Sequence, residues 1–155
     1  CIRDSNLTEH EYRADLLADI LYNGVYGSSM PGWRDHSPAQ LAALIQVVQS
    51  FSRIEPIISD SNTALGAEIF QTHCAECHGK AGDGNGFAIA NLPIPIPPTD
   101  FTRERLSMTA SLRVLNQGVA GTTMAPWGDR LSDAEIMAVA GYLQTLYEHE
   151  TGAGE

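Results

Sequence analysis

The chain has 155 residues, a formal charge of −10 and a 43% hydrophobic fraction, which bound it to roughly one soluble globular domain or slightly more. No apolar run approaches the roughly 20 residues of a membrane helix. The acidic balance excludes nucleic acid and anionic membrane surfaces as natural partners and favours a basic docking face on another protein.

Taken in order, Tyr12, Leu16, Leu17, Ile20 and Leu21 fall at helical spacing and predict a helix over 8–23, with Thr8 and Glu11 as its capping box and Asn23-Gly24 as its end. A glycine-bearing loop follows, carrying Met30, Pro31 and Trp33. A second helix starts at Ser37, with Pro38 at its first position, Gln40 completing a capping box, and Leu41, Leu44, Ile45, Val48 and Phe51 as its apolar stripe. Residues 53–63 read as a linker broken by Pro56. A helix over about 64–74 carries Leu65, Gly66, Ile69 and Phe70 and leads into the next motif.

That motif is Cys74-Ala75-Glu76-Cys77-His78, the attachment pattern for a c-type haem. Two thiols add across the porphyrin vinyl groups and the adjacent imidazole comes up under the iron. A thioredoxin-like pair would want a βαβ context, which the sequence lacks. A closed zinc site would need further ligands, and neither a second cysteine pair nor a cluster of His10, His36 and His149 supplies them. The glycine-dense stretch 79–86 has no preceding strand and no Gly-Lys-Ser/Thr, so it reads as a tight loop against a haem edge rather than a phosphate cradle. Residues 92–99 are too rich in proline for helix and predict an extended wall, with a polyproline peptide ligand as the alternative. A helix over 107–117 ends at Gly118. A loop with Met124, Pro126 and Trp127 follows, and a last helix starts at Ser132, with Glu135 as its capping partner and Ile136, Val139, Ala140, Leu143 and Leu146 inward. Nothing alternates with period two, so the expected class is all-α.

The two Met loops repeat. At an offset of 94, Met30 falls on Met124, Trp33 on Trp127, Gly24 on Gly118, Gly27 on Gly121 and Thr8 on Thr102. With one further residue, Ser37 meets Ser132, and Leu41, Leu44, Ile45 and Val48 meet Ile136, Val139, Ala140 and Leu143. The second copy has a haem-attachment half at 65–98, and the first has no counterpart to it in the sequence.

With Gly66, Phe70 and Cys74 at four-residue spacing, C-x-x-C-H, and Tyr142 and Leu143 in the last helix, residues 65–147 resemble a class I cytochrome c domain. The resemblance implies one haem c attached through Cys74 and Cys77, His78 as proximal ligand and Met124 as distal ligand. Prolines 93–98, Pro95 among them, would supply a carbonyl to the other His78 nitrogen. Trp127 would pack near the propionates, which Arg103, Arg105 and Arg113 would neutralise unless they are simply exposed. Met108 lies early for a ligand, and Met137 reads as packing. A His/Met pair saturates the iron, and its soft thioether raises the potential, which suits electron transfer rather than catalysis.

Residues 1–52 resemble the carboxy-terminal half of a second such domain, followed by the linker 53–63, the complete domain 64–149 and a disordered tail 150–155. Met30 would then be the distal ligand of an upstream haem, or vestigial. The implied function is electron transfer, without enzymatic activity of its own, as a carrier or as the cytochrome subunit of a periplasmic or membrane-associated redox complex. Redox proteins with a basic face would be the partners, and other subunits would pack on 1–52. A dihaem enzyme such as a peroxidase and a haem sensor or structural module are the alternatives. Covalent haem attachment implies export, and Cys1 is either a lipid anchor or merely the first residue of the sequence.

Overall fold

The computed structural model describes residues 6–54, 62–89 and 96–148. Cys1, Pro95, most of the expected linker and the tail lie outside them. A short 3-10 turn, Leu7–Glu9, leads into strand β1 (His10–Tyr12), helix α1 (Ala14–Asn23) and helix α2 (Pro38–Gln49). The rest of the chain forms α3 (Thr63–Ile69), a π-helical turn (Phe70–Cys74), the short α4 (Ala75–His78), β2 (Glu104–Leu106), α5 (Met108–Gln117) and α6 (Asp133–Thr145).

The all-α expectation needs correcting, because β1 and β2 pair antiparallel, His10 opposite Leu106, Glu11 opposite Arg105 and Tyr12 opposite Glu104. Each strand has three residues, too few for alternation to register, and the partner of each lies far away in sequence. The capping box expected at Thr8 and Glu11 is also replaced. Asn6 caps the 3-10 turn by accepting from the Thr8 amide, and Glu11 sits in β1 against Arg105. The other two boxes form as expected, Ser37 with Gln40 and Ser132 with Glu135. Such caps contribute about 1 kcal/mol each by satisfying amides that have no partner inside the helix.

The core lies where α3 crosses α6. A Cβ at Gly66 would come 2.1 Å from Ala138 O and 2.8 Å from Tyr142 Cβ, so only glycine lets the two backbones meet. One turn on, Phe70 is wholly buried, its ring 5.4 Å from that of Tyr142 and 6.4 Å from that of Phe101. Ile136, Val139, Ala140 and Leu143 complete the buried face of α6. Met137, expected to pack, instead faces outward and is 45% exposed, because it falls off that stripe.

The two Met loops match hydrogen bond for hydrogen bond. Gly24 and Gly118 cap α1 and α5 with φ of 75° and 68°, each donating 2.8 Å back to the helix, to Ile20 O and Val114 O. The amide of Val25 donates to Met30 O at 3.1 Å, and that of Val119 to Met124 O at 3.0 Å. The amides of Met30 and Met124 both donate at 3.1 Å to a hydroxyl two residues back, Ser28 Oγ and Thr122 Oγ1. Those of Trp33 and Trp127 return to Leu21 O and Leu115 O.

The helices after the loops differ in cover. Val139 on α6 is 1% exposed in the core, whereas its counterpart Leu44 on α2 is 36% exposed, and Val47 and Phe51 are more open still. α2 packs on α1, and no residue of α2 is buried.

Candidate haem site

Residues 74–78 are delivered by an irregular helix. After α3 the chain widens into the π-helical turn, where the Ala75 amide donates five residues back to Phe70 O, and then tightens into α4. Such π segments tend to occur at functional positions, because the extra residue re-aims the side chains that follow. Cys74 stands at the junction, Cys77 lies within α4, and both thiols are partly buried and free. Burial, together with the neighbouring Cys77, pushes the Cys74 thiol up to about 11.

The glycine-rich loop closes the open end of α4. The amides of Gly84, Gly86 and Ala88 donate to His78 O, Cys77 O and Glu76 O at 2.8, 3.1 and 3.0 Å, satisfying carbonyls that the short helix leaves unpaired. This is the tight loop expected at 79–86.

His78 is held from two sides. Its ring stacks on Phe101 at 4.9 Å and an interplanar angle of 30°. Its Nδ1 lies 3.3 Å from Thr99 O. A carbonyl only accepts, so this bond keeps the proton on Nδ1 and leaves the Nε2 lone pair free for a metal. Burial holds His78 below the ordinary imidazole value, against the opposing pull of Thr99, which favours the neutral, ligating form. The carbonyl was expected from the 93–98 prolines. Pro95 lies outside the described residues, and the oxygen that meets His78 belongs to Thr99, just past the proline run.

Met124 packs against the same core as Cys74, and both stay partly open, along with Met108, Leu112 and Leu131. A closed core is thus flanked by partly open side chains that include the Cys74 thiol and the Met108 and Met124 thioethers, while His78 stacks on the core residue Phe101. Trp127 sits with its ring 5.5 Å from His73 and the Arg130 guanidinium 5.3 Å from its centre. Met30 is partly buried on the matching loop, away from any cysteine of the motif in sequence. The three arginines considered for propionates are engaged elsewhere: Arg103 with Asp15 and Asp19, Arg105 with Glu11, and Arg113 with Glu9. Their acidic partners all lie in the first 19 residues, a pairing that no local pattern signals. Phe101 was also missed; its only signal was an aromatic residue shortly after the proline run.

The donor set fits a c-type haem: two thiols one helical turn apart, a neutral imidazole with its outer nitrogen tied to a backbone carbonyl, and an apolar rim with a loop thioether. Comparison with known proteins agrees. A family model described as "Cytochrome C oxidase, cbb3-type, subunit III" matches residues 61–143, more than half of the chain. Among curated relatives, the cbb3-type cytochrome c oxidase subunit FixP of Azorhizobium caulinodans is 33% identical over 121 residues, covering 77% of this chain and 37% of its own length. The corresponding subunit CcoP of Cereibacter sphaeroides is 31% identical over 130 residues, covering 83% and 41%. The chain spans about two fifths of these relatives. Among solved structures, a chain of the Kuenenia stuttgartiensis reducing HAO-like protein complex superposes with a TM-score of 0.53 at 24% identity. It covers 92% of this chain and 80% of its own, so the likeness, which is one of fold, takes in the amino-terminal segment as well. The chain belongs to the cytochrome family of cbb3-type oxidase subunit III, and with that family goes a covalently bound haem c.

Proposed function

We propose that this chain transfers electrons through one haem c held by Cys74 and Cys77, with His78 and Met124 as the axial pair. The observation that carries the reading is the Thr99 bond to His78 Nδ1, beside two thiols and ahead of a partly open Met loop. When bound, the haem supplies a one-electron ferric/ferrous couple. Thr99 and Phe101 fix the plane and tautomer of His78, so that Nε2 keeps its position in both redox states. The 79–86 loop keeps water from the carbonyls of α4, and the packed α3–α6 core resists rearrangement. A site with both axial positions filled suits transfer rather than turnover.

The names of the relatives carry this reading toward a role as cytochrome subunit of an oxidase-type redox complex, without catalysis of its own. Covalent haem attachment takes place outside the bacterial cytoplasm, which puts the chain in the periplasm, held there by a partner subunit. Its net charge of −10 favours a donor or acceptor with a basic docking face.

A second reading concerns residues 1–52. The hydrogen-bond match between the Met30 and Met124 loops, together with the uncovered α2, favours a half-domain whose attachment half comes from another segment, with Met30 as the distal ligand there. Intact mass with the haem-to-protein ratio of the native protein separates one haem from two.

The main test is Met124→Ala in the holoprotein. The expected result is loss of the methionine-to-ferric-haem charge-transfer band, with carbon monoxide or cyanide binding readily to the variant and poorly to the wild type. A surviving band overturns the Met124 assignment. Ready ligand binding or catalytic peroxide turnover by the wild type overturns electron transfer in favour of a peroxidase-type enzyme. Absence of a reversible redox couple favours a sensor or structural module.

A further inference from the structure

The β1–β2 pairing is organised about a local twofold. Under the offset of 94, β1 and β2 are equivalent strands, and Glu11 stands opposite Arg105, its own counterpart. The flanking backbone bonds exchange under the same operation. The Arg13 amide donates to Arg103 O at 2.9 Å and the Ser107 amide to Glu9 O at 2.7 Å, with 13 equivalent to 107 and 103 to 9. Further out, the Arg53 amide donates to Thr8 O and the Glu148 amide to Thr102 O, both at 2.9 Å.

The backbone obeys this symmetry while the charges invert it. Glu9 meets Arg113 at 2.7 Å, and the symmetry-related contact is Asp19 with Arg103 at 2.8 Å. On the axis, Glu11 meets the buried Arg105 at 2.6 Å. At three equivalent positions, 9/103, 11/105 and 19/113, the amino-terminal segment carries an acid and the cytochrome domain an arginine. Two contacts run the other way, His10 to Glu104 at 2.6 Å and Arg13 to Glu148 at 3.4 Å, and they too join unlike halves. If two cytochrome domains paired about this axis, Arg105 would face Arg105 and Arg103 would face Arg113. If two amino-terminal segments did so, Glu11 would face Glu11 and Glu9 would face Asp19.

We propose that this seam is a charge-keyed interface: the strand–helix face of the cytochrome domain takes the acidic amino-terminal segment and rejects a second copy of itself. The main-chain bonds would accept any copy of the strand, so discrimination rests on the side chains, where like charges opposed at short range exclude the wrong pairing. The consequence is a fixed mount. The Met30 loop is held in one orientation relative to the haem domain by contacts independent of residues 53–63.

The test uses the full-length holoprotein and amide exchange at Arg13 and Ser107, whose N–H groups cross the seam. Reversing one side, with Arg103→Glu, Arg105→Glu and Arg113→Glu together, is expected to speed exchange there by about tenfold or more, with the amides of α6 unchanged. Adding Glu9→Arg, Glu11→Arg and Asp19→Arg, with Asp15→Asn because Asp15 is the second acid against Arg103, is expected to restore protection. Protection that survives the one-sided reversal, or that stays lost in the double reversal, overturns the proposal. Should the reversed proteins fail to fold, raising salt to about 1 M on the wild type is the second measurement, because the Glu9–Arg113 and Asp19–Arg103 pairs are partly open to solvent. Selectively faster exchange at Arg13 and Ser107 supports the charge key, and salt-independent exchange there overturns it.

Discussion

At Gly86 a side chain is excluded by the backbone on which the loop rests: a Cβ would lie 2.1 Å from Glu76 O and 2.6 Å from Cys77 O. Gly121 has the opposite reason for being glycine. Its φ is +81°, in the left-handed region, yet a Cβ there would meet nothing within 4 Å. Gly86→Ala must therefore push the 79–86 loop off α4, breaking the bonds to His78, Cys77 and Glu76 and costing about 1–3 kcal/mol. Gly121→Ala carries only the left-handed backbone penalty of about 1–2 kcal/mol and leaves those bonds intact. Thermal unfolding gives the stability losses. The haem absorption spectrum gives the distinction: Gly86→Ala is expected to disturb it and Gly121→Ala to leave it unchanged. An undisturbed spectrum in Gly86→Ala would mean that the loop does not support the attachment helix.

At the scale of elements, α2 and α6 are the same helix in two surroundings. Both start with a serine capping box, and Leu41 on α2 corresponds to Ile136 on α6, which is 2% exposed. Ile136→Ala should cost about 2–5 kcal/mol, because it leaves a cavity in the buried core. Leu41→Ala, half-open on α2, should cost below about 1 kcal/mol by chemical denaturation of this chain. A large Leu41 effect would mean that α2 already has its cover. These helices were legible because capping boxes, a 3.6-residue apolar period and glycine stops are written locally, and so were Gly66 and the five residues of the attachment motif. The strands were not, since Glu11 and Arg105 acquire a strand conformation only by meeting each other. Thr99 was not either, because what it offers His78 is a backbone oxygen that every residue possesses. Nor were the arginine pairings, since a charge in sequence does not name its partner, and the acids that meet Arg103, Arg105 and Arg113 lie some 90 residues distant.

For the molecule as a whole, acid should act on the seam before the core. The Arg113 hydrogen bond holds the Glu9 carboxyl below its ordinary value, burial opposing it and His10 and Asn6 adding to the lowering. At Asp15 burial pushes upward but is outweighed by Arg13, the Leu16 amide and Arg103. A carboxylate with a depressed folded-state pKa contributes stability that is complete above the ordinary carboxylate value and is lost as pH falls through the depressed one. The α3–α6 core, built on Gly66, Phe70, Ile136 and Val139, holds no carboxylate among these contacts, and the one depressed carboxylate of α6, Glu135, is held down by Ser132 at the exposed first turn of that helix. Lowering the pH through the carboxylate range should therefore raise amide exchange at Arg13 and Ser107 while the amides in the buried middle of α6 stay protected. Glu9→Gln should flatten part of that response, because it removes one of the two depressed carboxylates at the seam and keeps the hydrogen-bonding shape. If Glu9→Gln and the wild type lose protection along the same acid curve, Glu9 does not hold the seam. If the core amides open together with Arg13 and Ser107, the amino-terminal segment and the cytochrome domain unfold as a single unit, and the ion pairs do not set the weakest joint of the molecule.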